Sequence, residues 1–421
     1  MRHTATPARA AQRRADRVTE PARATVVHVT TVPLSLVTHL SGQIGFVQRR
    51  GFAVHVITSP GPELDTFAEG ERIPVHAIPM ARAITPLRDV LALWRLWRTL
   101  RRIRPDIVHS HTPKGGLLGM IAATLAGTPV RVYHLRGLPF VTAKGGRRRL
   151  LRLSELASCS LAHRVLAVSH SMRSIAVEEG LCPADKVKVV LGGSGNGVDT
   201  ERFRPAADDA RQAARAECGI PAEALVIGFV GRLTREKGIR ELERAWRALR
   251  RAEPRARLLL VGWVEAEDAE SRDAVAALRA DPRVHFTGPV ADTARLYPAM
   301  DVVALPTYRE GFPNVALEAA AAALPIVATS VPGCVDAVQD GVTGVLVSPQ
   351  DAAGLERALR RYLAEPALRA RHGEAGRRRV VAQFRREAIW EGIVAEYRAL
   401  LSIGPGASLS ARADDAPAGS R

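Results

Sequence analysis

Short β-branched runs alternate with helical segments along most of the chain, and this alternation constrains its fold more than any other feature. Residues 25–30 predict a buried strand, residues 34–50 a helix, and residues 53–58 a second strand. Further strands are predicted at 75–78, 106–109, 129–135, 165–168 and 187–191, and a helix at 87–103. This pattern is typical of a doubly wound α/β domain with a parallel sheet, which binds ligands at the carboxyl ends of its strands.

A glycine-rich break divides the alternation into two halves. Residues 192–197 read GGSGNG, and an Ala/Asp/Arg-rich stretch extends to residue 224. Strands are then predicted again at 224–230, 257–261, 284–287, 302–305, 326–329 and 344–347. We therefore predict two α/β domains with a cleft between them, at 25–204 and 205–384, and a helix at 385–402. Residues 1–24 and 403–421 are predicted to be a disordered basic arm and a disordered tail.

Composition excludes several classes of protein. The 421 residues are 47% hydrophobic and 24% charged, which is ordinary for a globular protein and excludes a disordered or collagen-like chain. Lysine and arginine outnumber aspartate and glutamate by 60 to 43, so the net charge is +17 and anionic partners are expected. The four cysteines lack the spacing of a zinc site, and we interpret them as reduced core residues of a cytosolic protein.

Neither a membrane span nor a secretory signal is predicted. The richest apolar stretch, residues 315–329, is interrupted by Glu318 and Pro325. Residues 1–24 contain no apolar core. Their composition resembles that of a transit peptide, but they lack an amphipathic period, which favours a disordered arm.

A basic motif follows the first strand of the second half. Residues 231–238 read GRLTREKG, between a predicted strand and a predicted helix. Arg232 and Lys237 would therefore project from the carboxyl edge of the sheet, beside a helix N-terminus. Two fixed cations in this position suit a diphosphate, although a solvated basic loop would have the same sequence.

A second motif places two carboxylates near one another. Residues 310–318 read EGFPNVALE, in and after a loop that follows a predicted strand. Pro313 suits the first turn of a helix, whose free N–H groups could face an anion or a sugar oxygen. Helical side chains lean towards the N-terminus, so Glu310 and Glu318 can reach the same cleft. Carboxylates accept hydrogen bonds from vicinal hydroxyls; the alternative is a capping acid and a surface acid.

Together these motifs resemble those of the retaining glycosyltransferases of family 4. Glu310 and Glu318 match the E-x7-E signature of that family, and residues 231–238, 306–311 and 328–334 match its neighbouring motifs. In the first half, the motifs HSHTPKGG, LRGLP and SGNGVD are similar to the subgroup that builds capsular, O-antigen and lipid-linked glycans; they stand at 109–116, 135–139 and 194–199. The resemblance covers about residues 25–402. It implies a GT-B fold, in which two Rossmann-like domains face each other and the last helix crosses back to the first.

The resemblance also implies roles for individual residues. Arg232 and Lys237 would neutralise the diphosphate of a nucleotide-sugar donor, Glu310 would bond the sugar hydroxyls, and Glu318 would bond the ribose. The donor-binding set is completed by the loop and helix start at Gly311, Phe312, Pro313, Asn314 and Val315, and by Val290 at the edge of the base.

The reaction that the resemblance implies retains the anomeric configuration by a front-face mechanism. A double displacement with Glu310 as nucleophile is the less favoured alternative. No Asp-x-Asp motif occurs in the chain, so neither a metal ion nor another cofactor is expected. Arg232 and Lys237 can stabilise the leaving diphosphate instead.

The first half departs from the wider family near the transferred sugar. Residues 33–36 read PLSL where many relatives have a Gly-Gly loop, and Arg136 stands where many have a histidine. His111 is a second candidate for a contact to the sugar, with a structural histidine as the alternative. Lys114 and Arg136 could hold an acceptor phosphate or could be surface charges.

A basic, leucine-containing stretch bears on the acceptor. Residues 144–153 read KGGRRRLLRL, which suits a helix on an anionic membrane surface or a solvated helix. We predict an enzyme peripheral to the cytoplasmic face of the membrane, which transfers an N-acetylhexosamine or hexose from a UDP-sugar to a lipid-linked or polysaccharide acceptor. Two alternatives remain: a nucleotide-sugar 2-epimerase with the same fold, and a nucleic-acid-binding protein, which the net charge allows but no motif supports.

Overall fold

Seven parallel strands form the sheet of the first domain. The structure, a computed structural model, describes residues 23–265 and 268–403, so most of the predicted arm and tail lies outside the described residues. The strands are β1 (Thr25–Val29), β2 (Ala53–Thr58), β3 (Val75–Ala77), β4 (Ile107–His111), β5 (Val130–Leu135), β6 (Arg164–Ala167) and β7 (Val187–Val189). Their order across the sheet is β3-β2-β1-β4-β5-β6-β7.

Six parallel strands form the sheet of the second domain. They are β8 (Leu225–Val230), β9 (Ala256–Val261), β10 (Val284–Gly288), β11 (Val302–Leu305), β12 (Ile326–Thr329) and β13 (Gly344–Val347), in the order β10-β9-β8-β11-β12-β13. In each sheet the strand order reverses beside the first strand, β1 or β8, and ligands bind at such switch points. The predicted pair of doubly wound parallel-sheet domains is confirmed.

Helices connect the strands and cover the sheets. In the first domain they are α1 (Leu34–His39), α2 (Gln43–Arg49), α3 (Glu63–Glu71), α4 (Pro86–Ile103), α5 (Pro113–Leu125), α6 (Gly145–Leu161) and α7 (His170–Glu178). In the second they are α8 (Asp208–Glu217), α9 (Ile239–Ala252), α10 (Ala269–Arg279), α11 (Asn314–Ala321), α12 (Cys334–Ala337), α13 (Ala352–Ala364) and α14 (Pro366–Gln383), and α15 (Arg386–Ile403) follows. Among the helices in the described part of the chain, none combines the length and apolar character that crossing a bilayer requires.

Each sheet separates two apolar cores, because successive side chains of a strand point to opposite faces. On β8, Val226 and Val230 belong to one core, while Ile227 and Phe229 belong to the other. All six residues of β8 are buried, as a strand covered on both faces requires.

The last helix packs on the first domain rather than on the second. Four buried residues of α15 (Ile389, Trp390, Val394 and Tyr397) share a core with Val26 and Leu36 of the first domain. This arrangement agrees with the crossing helix that the family resemblance implies.

The structure differs from the predicted elements at several points. The helix predicted at 34–50 is two helices, because Gly42 adopts a left-handed conformation (φ 76°) between α1 and α2. β4 continues through His111, two residues beyond its predicted end. Five helices had no predicted counterpart: α3, α7, α8, α12 and α14.

Candidate active site

Loops that follow β8 and β11 bring the predicted charged residues together at the carboxyl edge of the second sheet. The loop after β8 carries Arg232 and Lys237, and Thr234 Oγ1 accepts a hydrogen bond from the Lys237 backbone N–H at 3.3 Å, which fixes this turn. The loop after β11 carries Glu310 and leads into α11, which carries Glu318. Since β8 and β11 are neighbours in the sheet, the two loops lie side by side. We call Arg232, Lys237, Glu310 and Glu318 the carboxylate edge.

Both cations of the carboxylate edge are paired with carboxylates. Lys237 Nζ donates to Glu310 Oε1, and these side chains are only 24% and 12% exposed. Arg232 Nη1 donates to Glu265 Oε2 at 2.7 Å, and this bond lowers the pKa of the Glu265 carboxyl group. An anionic ligand could take over these cations from their carboxylates, since the cations would then stay paired with negative charge.

Glu318 has a buried partner in the same domain. Tyr297 OH donates to Glu318 Oε2 at 2.6 Å, and Tyr297 is only 1% exposed. Burial raises the pKa of Glu318, while the hydrogen bond from Tyr297 opposes that shift. A carboxylate has two acceptor oxygens, so this bond orients the group and leaves Glu318 Oε1 for a hydroxyl of a ligand.

The loop after β11 also brings the two domains into contact. The Gly311 carbonyl accepts a hydrogen bond from Ser169 Oγ at 2.9 Å, and a Cβ atom at Gly311 would lie 1.9 Å from the Arg136 carbonyl oxygen. Only glycine fits such a close approach. Phe312 packs against the cores of both domains, and its ring lies 5.5 Å from that of Phe384. The Phe312 side chain therefore joins the domains, and only its backbone remains for a ligand.

The N-terminus of α11 provides open backbone donors. Pro313 is the N-cap residue, and no side chain caps the helix. The first N–H groups of a helix have no partner within it, so those of Asn314 and Val315 remain for a ligand at the carboxylate edge. This agrees with the place that the sequence predicts for these residues.

Val290 lies in the loop after β10 and lines a small cavity. The cavity has a volume of 240 Å³ and is also lined by Thr287 and Leu296. Leu296 precedes the tyrosine that bonds Glu318, so the cavity lies next to the carboxylate edge. All ten residues predicted for the donor are thus grouped around one edge of the second sheet.

The matching edge of the first sheet is built from histidines. His28 lies on β1, His109 and His111 on β4 and His134 on β5, and each is at most 2% exposed. Arg136 follows β5, and we call these five residues the histidine edge. Burial lowers the pKa of each histidine, that of His28 to about 3, and the charge of Arg136 lowers them further. The four imidazoles are therefore neutral at pH 7.

Hydrogen bonds determine which ring nitrogens carry protons. Arg136 Nε donates to His111 Nδ1 at 3.3 Å, so His111 carries its proton on Nε2, which donates to His28 Nδ1 at 3.0 Å. His28 must then carry its proton on Nε2, a buried atom without a partner among the described residues. His109 Nδ1 lies 2.5 Å from Tyr397 OH of α15, which links the histidine edge to the last helix.

Two predicted contacts of the first domain are occupied by internal partners. His111 lies inside β4 rather than in a loop, is 1% exposed and uses both ring nitrogens in the bonds described above. Lys114 Nζ donates to Asp89 Oδ1 of α4 at 2.7 Å, which neutralises the lysine. Burial lowers the pKa of Arg136 to about 9, and no carboxylate of the described chain pairs with it. Of the three, Arg136 alone retains an unpaired charge for an anionic ligand.

Three histidines of this edge have the spacing of a metal site. Ligand atoms of His28, His109 and His111 lie within 4.8 Å of one another. The Arg136 guanidinium that bonds His111 would repel a cation there, and none of the hydrogen bonds of these histidines is made with a carboxylate that could balance its charge. The sequence-based expectation of no metal ion stays a prediction.

Sequence reasoning missed Tyr297, Glu265 and His28, which hold Glu318, Arg232 and His111 in place. Each lies more than 20 residues from its partner, so no local motif contains both. The available signal was the order of the strands. Glu265 follows β9, which neighbours the strand before Arg232, and His28 lies on β1, which neighbours the strand that carries His111.

Models of two glycosyltransferase domains match the chain. The model described as "Glycosyl transferase 4-like domain" matches residues 38–193, and the model described as "Glycosyl transferases group 1" matches residues 224–365. The first match lies within the first domain and the second within the second domain.

Curated relatives carry glycosyltransferase names. The chain is 32% identical over 381 residues to the capsular polysaccharide biosynthesis glycosyltransferase CapM of Staphylococcus aureus, with 90% of this chain and 98% of the relative covered. It is 34% identical over 288 residues to the D-inositol 3-phosphate glycosyltransferase of Streptomyces avermitilis, with 65% and 61% covered.

Solved structures share the arrangement of the two domains. The Anabaena protein Alr3699/HepE in complex with UDP and glucose has a TM-score of 0.73 at 22% identity, with 89% of this chain and 99% of that chain covered. Sucrose-phosphate synthase from Thermosynechococcus elongatus has a TM-score of 0.74 at 23% identity, with 90% and 100% covered. These similarities support the GT-B fold.

Proposed function

The chain belongs to the GT-B glycosyltransferases of the GT4 type, which include an enzyme of polysaccharide biosynthesis, and on this premise we propose a specific reaction for it. An N-acetylhexosamine or hexose moves from a UDP-sugar to a lipid-linked or polysaccharide acceptor, with retention of the anomeric configuration. The donor binds at the carboxylate edge, and the reaction needs no metal ion or other cofactor.

The observation that carries this proposal is the grouping of Arg232, Lys237, Glu310 and Glu318 at one sheet edge. Two fixed cations suit a diphosphate, and they act most strongly on the negative charge that develops as it leaves. The carboxylate of Glu310 accepts sugar hydroxyls beside them, and that of Glu318 accepts ribose hydroxyls. The cavity at Val290 receives the base.

The nucleotide is proposed to be uridine diphosphate. A protein with the same fold, Anabaena Alr3699/HepE, has been crystallised in complex with UDP and glucose. The likeness between the two chains is one of fold, and the donor screen tests the choice of UDP.

Retention follows in the proposal from a front-face displacement. The acceptor hydroxyl oxygen bonds to the anomeric carbon on the face from which the bond to the β-phosphate oxygen breaks, and a phosphate oxygen takes the hydroxyl proton. Arg232 and Lys237 bear the charge of the leaving diphosphate. Glu310 is assigned to the sugar hydroxyls in this proposal, and a double displacement with Glu310 as nucleophile stays the less favoured alternative.

An acceptor at the membrane is supported by an apolar stripe on α4. Leu87, Val90, Leu91 and Trp94 share one helix face and are 88%, 67%, 45% and 47% exposed. Exposed arginines flank them at positions 88, 95 and 98. α5 packs between α4 and α6, and α6 adds the predicted basic stretch with two further exposed leucines, Leu150 and Leu153. Apolar side chains among cations suit the surface of an anionic bilayer.

A donor screen tests the reaction. Purified protein is mixed with UDP-, GDP- and ADP-sugars in the presence of EDTA, and thermal stabilisation and donor hydrolysis are measured. We expect one UDP-sugar to stabilise the protein, and Lys237→Ala and Glu310→Ala to reduce this stabilisation at the same donor concentration. Lys188→Ala, a surface lysine of the first domain, is the matched control. Stabilisation only in the presence of a divalent cation, or by another nucleotide alone, would overturn the donor assignment.

Vesicle sedimentation tests the membrane surface. The protein is mixed with phosphatidylcholine vesicles with and without phosphatidylglycerol. We expect binding only to the anionic vesicles, and the double variant Leu87→Glu/Trp94→Glu should weaken it at least about tenfold. Val342→Glu, at a valine of the second domain that is 51% exposed, should bind as the wild type does. Equal binding by all three proteins would show that α4 does not contribute to membrane binding.

A further inference from the structure

A large groove opens between the domains beside Arg232. It has a volume of 1440 Å³ and receives side chains from both domains. The first domain contributes Arg82, Lys144 and Arg147, and we call this set the basic wall. The second domain contributes Arg232 itself, so the groove ends at the carboxylate edge.

The second-domain side of the groove is nearly neutral. Its three acids are all paired: Glu265 with Arg232 at 2.7 Å, Glu236 with Arg309 at 3.0 Å, and Asp268 with Arg240. Arg235 adds one positive charge on this side. A ligand in the groove would therefore meet a screened surface on the second domain.

The basic wall has no such compensation. Within the described chain, the side chains of Arg82, Lys144 and Arg147 form neither an ion pair nor a hydrogen bond, and all three are exposed. Arg82 is close enough to contribute to lowering the pKa of Glu265 across the groove. Three unpaired cations at one wall of a cavity leave a net positive charge that an anionic ligand can neutralise.

We propose that the basic wall binds the phosphate or diphosphate of the acceptor, an inference that rests on the proposed transferase reaction. The three cations lie on the first-domain side of the groove, and Arg232, which we assign to the donor, lies on its second-domain side. An acceptor whose phosphate lies on the basic wall can therefore extend its sugar hydroxyl towards the donor sugar.

Two features beside the basic wall agree with this assignment. At Gly145 and Gly146, a Cβ atom would meet nothing within 4 Å, so the backbone there is open to a ligand. Lys114, which the sequence suggested as an acceptor contact, is neutralised by Asp89. We therefore place the acceptor phosphate at Lys144 and the rest of the basic wall rather than at Lys114.

The groove also opens beside the apolar stripe. Arg82 lies two residues before Ile84, which is 58% exposed. The apolar stripe then begins at Leu87. Lys144 and Arg147 begin the helix that carries the exposed Leu150 and Leu153. A phosphate on a hydrocarbon carrier and the phosphate of a soluble sugar share the same charge, so the test must separate them.

The first experiment measures binding without catalysis. Titration calorimetry with inorganic pyrophosphate is carried out with UDP present in saturating amounts, so that the donor site is filled. We expect Lys144→Gln/Arg147→Gln to weaken pyrophosphate binding about tenfold for each cation removed. Arg149→Gln, on the same helix but outside the groove, should bind as the wild type does. Unchanged affinity in the double variant would overturn the proposal.

The second experiment identifies the source of the phosphate. Initial rates are measured with three acceptors that carry the same sugar: a short prenyl diphosphate, a sugar 1-phosphate and a methyl glycoside. The double variant should raise the KM of both phosphorylated acceptors about tenfold or more, with the KM of the donor and the methyl glycoside unchanged. A preference of the wild type for the prenyl diphosphate indicates a lipid carrier, and equal use of both indicates a soluble phosphate.

Failure of the two proposals can be distinguished. If no UDP-sugar is hydrolysed or bound, the proposed reaction fails, and the pyrophosphate titration still decides whether the basic wall binds phosphate. If the double variant raises the KM of the methyl glycoside as much as that of the phosphorylated acceptors, the wall acts on the sugar or on the fold, and the phosphate site is rejected.

Discussion

The two sheets present the same kind of edge to the cleft but stabilise it in opposite ways. The carboxylate edge consists of charges in pairs, such as Lys237 with Glu310 and Arg232 with Glu265. The histidine edge consists of buried neutral imidazoles around one cation, Arg136, and among the described residues no carboxylate pairs with that cation.

This difference shows how one topology can serve two tasks. A diphosphate can replace the carboxylates as partner of the two cations, and the carboxylate of Glu310 is then free to accept sugar hydroxyls, so the carboxylate edge suits the binding and release of a diphosphate. Neutral imidazoles keep their arrangement only while they stay unprotonated, so the histidine edge is a rigid wall with a strong dependence on pH.

Acidification should change stability with the largest effect, because it adds positive charge to the buried imidazoles of the histidine edge. The pKa of His28 is about 3 in the folded protein and 6.5 as an ordinary value, so between these limits the unfolded chain binds a proton that the folded chain does not. The contribution of His28 to stability is full above pH 6.5 and is lost as the pH is lowered, by up to about 5 kcal/mol at pH 3.

Urea unfolding at pH 7, 6, 5 and 4 measures this dependence. In His28→Asn, which keeps an acceptor near Nδ1, the free energy of unfolding should fall less steeply below pH 6.5, by up to about 1.4 kcal/mol per pH unit. His170→Asn, at an exposed histidine, should keep the wild-type slope. Parallel slopes for all three proteins would mean that His28 is not held neutral by the fold.

Removing a cation from the carboxylate edge should lower the reaction rate rather than change the pH dependence of stability. Lys237→Met should lower kcat about 10²–10³-fold, because the leaving diphosphate loses one fixed charge. The pH dependence of stability should stay as in the wild type. Initial rates at saturating donor measure the effect, with Lys188→Met as the control. A decrease in kcat of less than tenfold would show that other residues stabilise the leaving diphosphate.

A buried acid in the first domain should give stability the opposite dependence on pH from that of the histidines. Glu155 accepts a hydrogen bond from Tyr133 OH at 2.7 Å, and burial raises its pKa to about 7 against an ordinary 4.5. The folded chain therefore holds a proton that the unfolded chain loses, and stability falls by about 3 kcal/mol as the pH rises from 4.5 past 7.

Glu155→Gln should remove this loss, since glutamine keeps the acceptor for Tyr133 without a charge. The melting temperature of the variant should therefore exceed that of the wild type at pH 8, and the two should approach each other near pH 4.5. A variant that melts below the wild type at both pH values would show that the carboxyl group is needed for packing rather than tolerated.

The smallest effect is expected from the partner of Glu318. Tyr297→Phe removes one hydrogen bond to a carboxylate that stays in place, and should weaken UDP binding about fivefold, which corresponds to about 1 kcal/mol. Calorimetry measures the dissociation constant. Tyr308→Phe, at a tyrosine that bonds Glu241 in the same domain, is the control. Equal affinity in wild type and Tyr297→Phe would place the ribose away from Glu318.

The carboxylate edge could be predicted from sequence because its residues are local. Arg232 and Lys237 stand within one eight-residue motif, and Glu310 and Glu318 within another, each directly after a strand. The alternation of strands and helices then places both motifs at the same sheet edge. The strands 302–305, 326–329 and 344–347 were predicted with the bounds that the structure has.

The histidine edge could not be predicted in the same way. His28 and His111 are 83 residues apart, and His109 and Tyr397 are 288 apart, so only the folded chain brings them together. The exposed face of α4 could not be predicted for another reason. Both faces of this helix carry apolar residues at helical spacing, and a periodic pattern does not tell which face packs against the core.

The last helix gives the chain an order of assembly. Trp390 and Tyr397 of α15 belong to the core of the domain that the ribosome makes first, yet nearly two hundred residues separate that domain from the end of α15. At a synthesis rate of about 5–20 residues per second, roughly 10–40 s pass before this part of the core exists. During that time the histidine edge lacks Tyr397, and its apolar surface is open to water or to a chaperone. Folding of the first domain is thus complete only after α15 has been synthesised.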